Sequence, residues 1–205
     1  MGHRQEVAYF LDFDANRNGG AVRYQLTKTI AVIGLMGAGK TAVGTLVAQK
    51  LGTAFLDSDH EIEKAANMTV AEIFVRDGEA FFRSKESQVL ERLLKSEPCI
   101  LSTGGGAYMS EVNRTLISDH GVALWLKADL DLLWSRVRHK DTRPLLRTKD
   151  PRQTLADLYE LRNPIYAQAE IAVNAEQGLS LDDMASKVIE TLVNTPESGV
   201  TVKAG

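Results

Sequence analysis

The chain has 205 residues, 44% hydrophobic and 25% charged, with a formal net charge of −3. That length holds one α/β domain with a sizeable core, and the slight acidity excludes the global basic field of a nucleic-acid binder. Cys99 is the lone cysteine, which excludes an intrachain disulfide, and His3, His60, His120 and His139 show no metal-ligand spacing.

Residues 1–27 stand outside the pattern that follows. They read as an N-terminal extension: disordered, an added helix or in part an artefact. Asp12 and Asp14 interrupt the apolar stretch at residues 7–13, so no signal-peptide core forms, and with Glu6 they argue against a transit peptide. Glu6 also occupies the position where a myristoylation site needs Ser or Thr. No apolar stretch approaches the roughly 18 residues of a membrane span. A cytoplasmic protein is expected.

From residue 30 the chain alternates strands and helices. Ile-Ala-Val-Ile at 30–33 reads as a strand, GLMGAGKT at 34–41 as a loop, and residues 42–51 as a helix. The spacing GxxxxGK[ST] between strand and helix is a phosphate loop. Glycines let backbone N–H groups curl around a polyphosphate, and the helix N-terminus adds partial positive charge and unpaired donors. Lys40 supplies a full charge, and the Thr41 hydroxyl can ligate Mg²⁺.

Residues 54–56 form a short strand that ends at Asp57-Ser58-Asp59, before a short helix at 60–66. The acids fit a helix cap plus a first-turn acid. Beside a phosphate loop they also fit one carboxylate holding Mg²⁺ and one accepting a substrate hydroxyl proton. Thr69 and Glu72 have capping-box spacing and start a helix that Asp77-Gly78 breaks and residues 79–95 resume. On it, Phe81 and Phe82 read as core or cleft wall. Arg83 reads as a surface cation or as a planar clamp for a carboxylate.

Residues 99–102 form a strand, with Cys99 a small buried apolar residue, and run into Gly104-Gly105-Gly106. A turn rarely needs three glycines, so a ligand or another backbone comes close there. A helix around 110–118, a strand at 122–126 and a helix at 130–137 follow. Residues 136–147 carry Arg136, Arg138, His139, Lys140, Arg143 and Arg147 against one acid, Asp141. This is a solvated basic loop or a lid that brings an arginine onto ATP.

Residues 154–169 read as a helix that Pro164 interrupts. Leu155, Leu158, Leu161 and Ile165 share its core face, with Tyr159, Arg162 and Tyr166 off that stripe and Tyr166 a packing residue. Residues 171–173 are the last strand. Ser180 and Asp183 cap a final helix to about residue 194, and the tail at 196–205 reads as unstructured. Five apolar strands alternating with helices predict a parallel sheet covered on both faces. Ligands bind beyond the carboxyl ends of such strands. The phosphate loop, Asp57/Asp59 and the triple glycine are therefore expected on one rim.

The stretches GLMGAGKTAVG, FLDSDHEIE, GEAFFR, STGGGA, RPLL and LRNPIY occur in the order and approximate spacing of the shikimate kinase family, which the sequence resembles from about residue 29 to 194. The resemblance implies the P-loop fold of nucleoside monophosphate kinases, with a five-stranded parallel sheet, substrate-binding helices and a mobile lid. It divides the chain into an extension (1–27), one kinase domain (28–195, lid about 138–151) and a tail (196–205). It implies transfer of the ATP γ-phosphate to the 3-hydroxyl of shikimate, with Mg²⁺, by a cytoplasmic monomer. Gly37, Ala38, Gly39, Lys40, Thr41 and Ala42 would bind phosphates, with Lys40 on the transferring group. Thr41 and Asp57 would serve the Mg²⁺. Asp59 would bind shikimate hydroxyls and act as base. Arg83 and Arg162 would clamp its carboxylate, and Gly105 would approach it through the backbone. Arg143 would be the lid arginine, and Arg136 would lie near the adenine. Residues 174–178, where some members contact adenine, match too poorly to name a residue. A gluconate or nucleoside monophosphate kinase and a non-catalytic nucleotide-binding relative are the competing readings.

Overall fold

A computed structural model describes residues 23–139 and 144–203, with Pro144 by its backbone alone. The expected lid arginine, Arg143, and residues 1–22 of the expected extension lie outside the described residues.

The chain runs β1 (Arg23–Leu26), β2 (Thr29–Ile33), α1 (Lys40–Leu51), β3 (Phe55–Asp57), α2 (Ser58–Ala66), α3 (Val70–Leu94) and β4 (Ile100–Ser102). It continues through α4 (Glu111–His120), β5 (Gly121–Lys127), α5 (Leu130–Val137), α6 (Pro151–Tyr166), β6 (Ile171–Asn174), α7 (Leu181–Val193) and β7 (Val200–Lys203). The expected five parallel strands form one sheet in the order β3-β4-β2-β5-β6. Every residue of β2 is buried, as an unbroken apolar run at the centre of a parallel sheet requires. Helix α1 packs on α7, and α3 packs on α4. Cys99 is buried in the main core, where burial pushes its thiol up to about 11. A thiol so raised is inert packing at neutral pH.

The Thr69 capping box is present, and Gly78 (φ 81°, ψ 173°) breaks helical geometry inside α3. A small second core, Ile62, Ile73 and Phe82, spans the break. Helix α2 and the first half of α3 thereby form one wall of a cleft.

Three expectations are corrected. The tail is not structureless: β7 pairs antiparallel with β1, from Arg23 opposite Lys203 to Leu26 opposite Val200. Gly199 turns the chain into this ribbon, its carbonyl accepting from the Thr27 N–H at 2.9 Å. A four-residue strand has too little local pattern to announce a partner at the other end of the chain. Next, α6 runs through Pro164 without interruption. Pro164 lies in the last turn on the exposed side, where water can serve the carbonyl that loses its bond. Finally, the inner face of α6 keeps Leu155, Leu158 and Ile165 but not Leu161, and adds Tyr166. Leu161 is 67% exposed, whereas Leu155 and Tyr166 are 0% exposed.

Candidate active site

Strand register brings three loops to one rim. Val32 of β2 and Asp57 of β3 both pair with Ser102 of β4. The segments starting at Gly34, Ser58 and Thr103 therefore leave the sheet side by side, at its carboxyl edge. The Gly104 N–H donates to the buried Ser58 Oγ at 3.2 Å, tying two of these loops together.

In the phosphate loop Gly37 (φ 85°) and Gly39 (φ 98°) adopt left-handed backbone that side chains resist. Helix α1 opens at Lys40 with no side-chain cap. Its first-turn N–H groups, around Thr41 and Ala42, are donors suited to an anion. The Lys40 Nζ donates to the Gly34 carbonyl at 2.7 Å and to that of Leu35 at 3.4 Å, lying back along the loop. Arg136 of α5 approaches from the far side, its Nη1 donating at 3.3 Å to the carbonyls of Gly37 and Ala38.

Asp57 combines the two readings of its sequence position. Its Oδ1 caps α2, accepting from the N–H groups of Asp59 (3.1 Å) and His60 (3.5 Å). Its Oδ2 accepts from the Thr41 hydroxyl at 3.3 Å. Two hard oxygen donors beside the phosphate loop fit a small divalent cation that takes its other ligands from phosphate and water. Among the described residues no group of three or more His, Cys, Asp or Glu gathers into a dedicated metal cage.

Asp59 faces the triple glycine. Its Oδ1 is buried and has no hydrogen-bond partner. A Cβ on Gly104 would lie 2.6 Å from that oxygen. Burial first, then the charges of Asp57 and Glu86, raise the Asp59 carboxyl to about 6 against the pull of Lys40. A carboxylate in that range is a competent base near neutral pH.

Arg83 lies over the Phe82 ring, 5.2 Å from its centroid, and a Cβ on Gly106 would meet its Nη2 at 2.8 Å. Its Nη1 donates to Glu86 at 2.9 Å, and its Nε and Nη2 donate to Glu79 at 3.3 and 3.2 Å. Burial works against the guanidinium charge, but these bonds and charges hold it above the usual arginine range. Burial raises the Glu86 carboxyl too, offset in part by Arg83 and then Arg162. Glu86 is a site residue that the sequence reading missed. Its signal was there, a glutamate one helical turn after Arg83.

Arg162 donates through Nη1 to the Gly105 carbonyl at 3.0 Å. Tyr166, one turn on, donates to the same oxygen at 2.5 Å. The reading of Tyr166 as packing alone is therefore incomplete. The 4-3-4 spacing of Leu155, Tyr159, Arg162 and Tyr166 marks the inward face of α6 and could have identified it.

These groups line one continuous cleft of about 1280 Å³. Asp59, Arg83, Glu86, Gly104, Gly105, Gly106 and Arg162 sit in it with the phosphate loop, Arg136 and residues 179–181. It thus unites a cation-flanked anion site, a poised carboxylate and two arginines.

A shikimate kinase family model matches residues 36–193. The chain is 59% identical over 180 residues to a shikimate kinase of Cereibacter sphaeroides, covering 88% of this chain and 90% of that one. It is 60% identical over 175 residues to a shikimate kinase of Ruegeria pomeroyi, covering 85% and 89%. Among solved structures, the shikimate kinase from Acinetobacter baumannii in complex with shikimate superposes with TM-score 0.77 at 38% identity, covering 82% of this chain and 93% of that one. A gluconokinase from Sinorhizobium meliloti superposes with TM-score 0.57 at 17% identity, over 84% and 95% of the chains, a likeness of fold alone.

Proposed function

The chain belongs to the shikimate kinase family, and from that premise we propose how its cleft carries the reaction. It is an ATP-dependent kinase of shikimate. The acceptor atom in this reading is the 3-hydroxyl. One observation carries the assignment of roles: Asp59, Arg83 and Arg162 all converge on the triple-glycine loop, on the same rim as the phosphate loop.

Phosphoryl transfer demands positioning and charge stabilisation more than covalent work. The N–H groups at residues 37–42 cradle the ATP phosphates, and Lys40 turns from the Gly34 carbonyl to the transferring group. Arg83 and Arg162 hold the shikimate carboxylate, with Glu86 keeping Arg83 oriented. Asp59 accepts the proton of the attacking hydroxyl. Arg136 lies at the nucleotide end, near the base, and Arg143, outside the described residues, is assigned to the phosphates by the family resemblance alone. Thr41 Oγ1 and Asp57 Oδ2 would hold the Mg²⁺, which supplies charge neutralisation on the phosphates. We further propose a monomer, and a cytoplasmic location that the free, buried Cys99 suits.

The test is a coupled assay of ADP release with shikimate, gluconate, AMP or no acceptor. ADP release that depends on shikimate alone is expected. Release with gluconate or AMP but not shikimate overturns the reading.

A further inference from the structure

We propose that Tyr166 is a positioning residue for the acceptor: its hydroxyl, together with Arg162, holds the Gly105 carbonyl toward α6 so that the following peptide N–H, that of Gly106, is presented to the substrate. This rests on the reading that shikimate binds at the triple glycine.

The geometry is specific. A carbonyl oxygen has two lone pairs, and Gly105 uses them on Tyr166 at 2.5 Å and Arg162 at 3.0 Å. Among the described residues no peptide bond is cis, so the Gly106 N–H points opposite to that carbonyl, away from α6. Tyr166 is 0% exposed, with ring centroids 6.1 Å from Trp125 and 6.5 Å from Tyr108. Such packing fixes the ring, and with it the hydroxyl. Burial pushes the phenol up to about 12, so it remains a donor at every working pH.

The local turn bond, from the Ala107 N–H to the Gly104 carbonyl at 3.1 Å, closes around the Gly105–Gly106 peptide but is compatible with either facing of it. Gly104, Gly105 and Gly106 lack Cβ atoms, so their peptides turn easily. They are bare for a reason, since Asp59 crowds the first and Arg83 the third. A loop that must be glycine to admit its catalytic neighbours needs restraint from outside, and Tyr166 supplies it. Arg162 also hydrogen-bonds the Tyr166 side chain, so the two donors steady each other as well as the carbonyl they share.

The experiment compares wild type with Tyr166→Phe, which keeps the ring and removes the donor. Thermal midpoint, kcat, both KM values, and separate calorimetric titrations with shikimate and ATP are measured. The expected result is a roughly fivefold to tenfold weaker shikimate affinity, the loss of about one hydrogen bond, with ATP affinity within about twofold. Equal loss for both ligands, or no change in shikimate affinity, overturns the proposal. A second measurement needs no variant. In the wild type, hydrogen exchange at the Gly106 amide is expected to slow when shikimate binds, and unchanged exchange also overturns it. Wild-type protein that never uses shikimate refutes the proposed function itself. Active wild type with an indistinguishable Tyr166→Phe variant refutes only the role of Tyr166.

Discussion

The Asp59 carboxylate rests against the Cα of Gly104 so closely that a Cβ there would stand 2.6 Å from Oδ1 and 3.1 Å from Oδ2. Gly104→Ala must therefore displace the carboxylate rather than strain the loop. A misplacement of about 1 Å at a reacting group costs on the order of 10²-fold in rate. The expected outcome is a loss of about that size in kcat/KM for shikimate, with ATP binding retained, read by steady-state kinetics and calorimetry.

The pH response follows from the same carboxyl. Its value of about 6 in the folded chain, against 3.8 for a free aspartate, means the native state holds the proton more tightly than the unfolded chain. The resulting stability is fully present below about pH 4 and is lost as pH rises through about 6. Asp59→Asn is therefore expected to melt higher than wild type at pH 8, the difference closing toward pH 4. For activity the sign is opposite, because the base is the ionised form. Wild-type kcat/KM for shikimate is expected to fall about tenfold per unit below pH 6.

Glu86 is 1% exposed and hydrogen-bonded to Arg83. Glu86→Gln keeps the volume and removes the charge that orients the guanidinium. It is expected to weaken shikimate binding about tenfold with little effect on ATP, and to cost about 1–3 kcal/mol of stability. Calorimetry and denaturant melts read the two effects separately.

Lys40→Ala removes the full charge from the phosphate loop. The expected cost is about 3–4 kcal/mol of barrier, or roughly 10²–10³ in kcat. Near-normal turnover in this variant contradicts the role assigned to Lys40.

The ribbon of β1 and β7 packs on α1 and α7, and none of its residues lines the cleft. Removing residues 199–205 uncovers the site of Val200, which is 3% exposed, worth about 1.5–3 kcal/mol of burial. A lower urea midpoint with unchanged KM values is the expected result.

Where function depends on contiguous residues, the sequence was legible. The phosphate loop, the Thr69 cap, the break at Gly78 and the alternation of strands and helices each rest on local backbone chemistry, and each is present. The rim was legible one step further, because parallel topology carries every strand's carboxyl end to the same edge. Misreadings came where a side chain's meaning depends on what faces it. Leucine spacing wrongly put Leu161 on the inner face of α6 and left Arg162 and Tyr166 off it, although both reach the Gly105 carbonyl. Glu86 passed unnoticed because a glutamate on a helix reads as solvated until an arginine and a buried wall are placed around it.

By itself, then, the sequence determined the kind of fold, the phosphate cradle, and the residue types able to hold a cation and a small acid. Those are consequences of spacing along the chain. Only the tertiary structure decided that Asp59 is poised near neutral pH, that Glu86 steadies Arg83, and that Tyr166 and Arg162 share one carbonyl. Those properties arise from desolvation and from hydrogen bonds between groups far apart in sequence, and burial and distance exist only once the chain has folded.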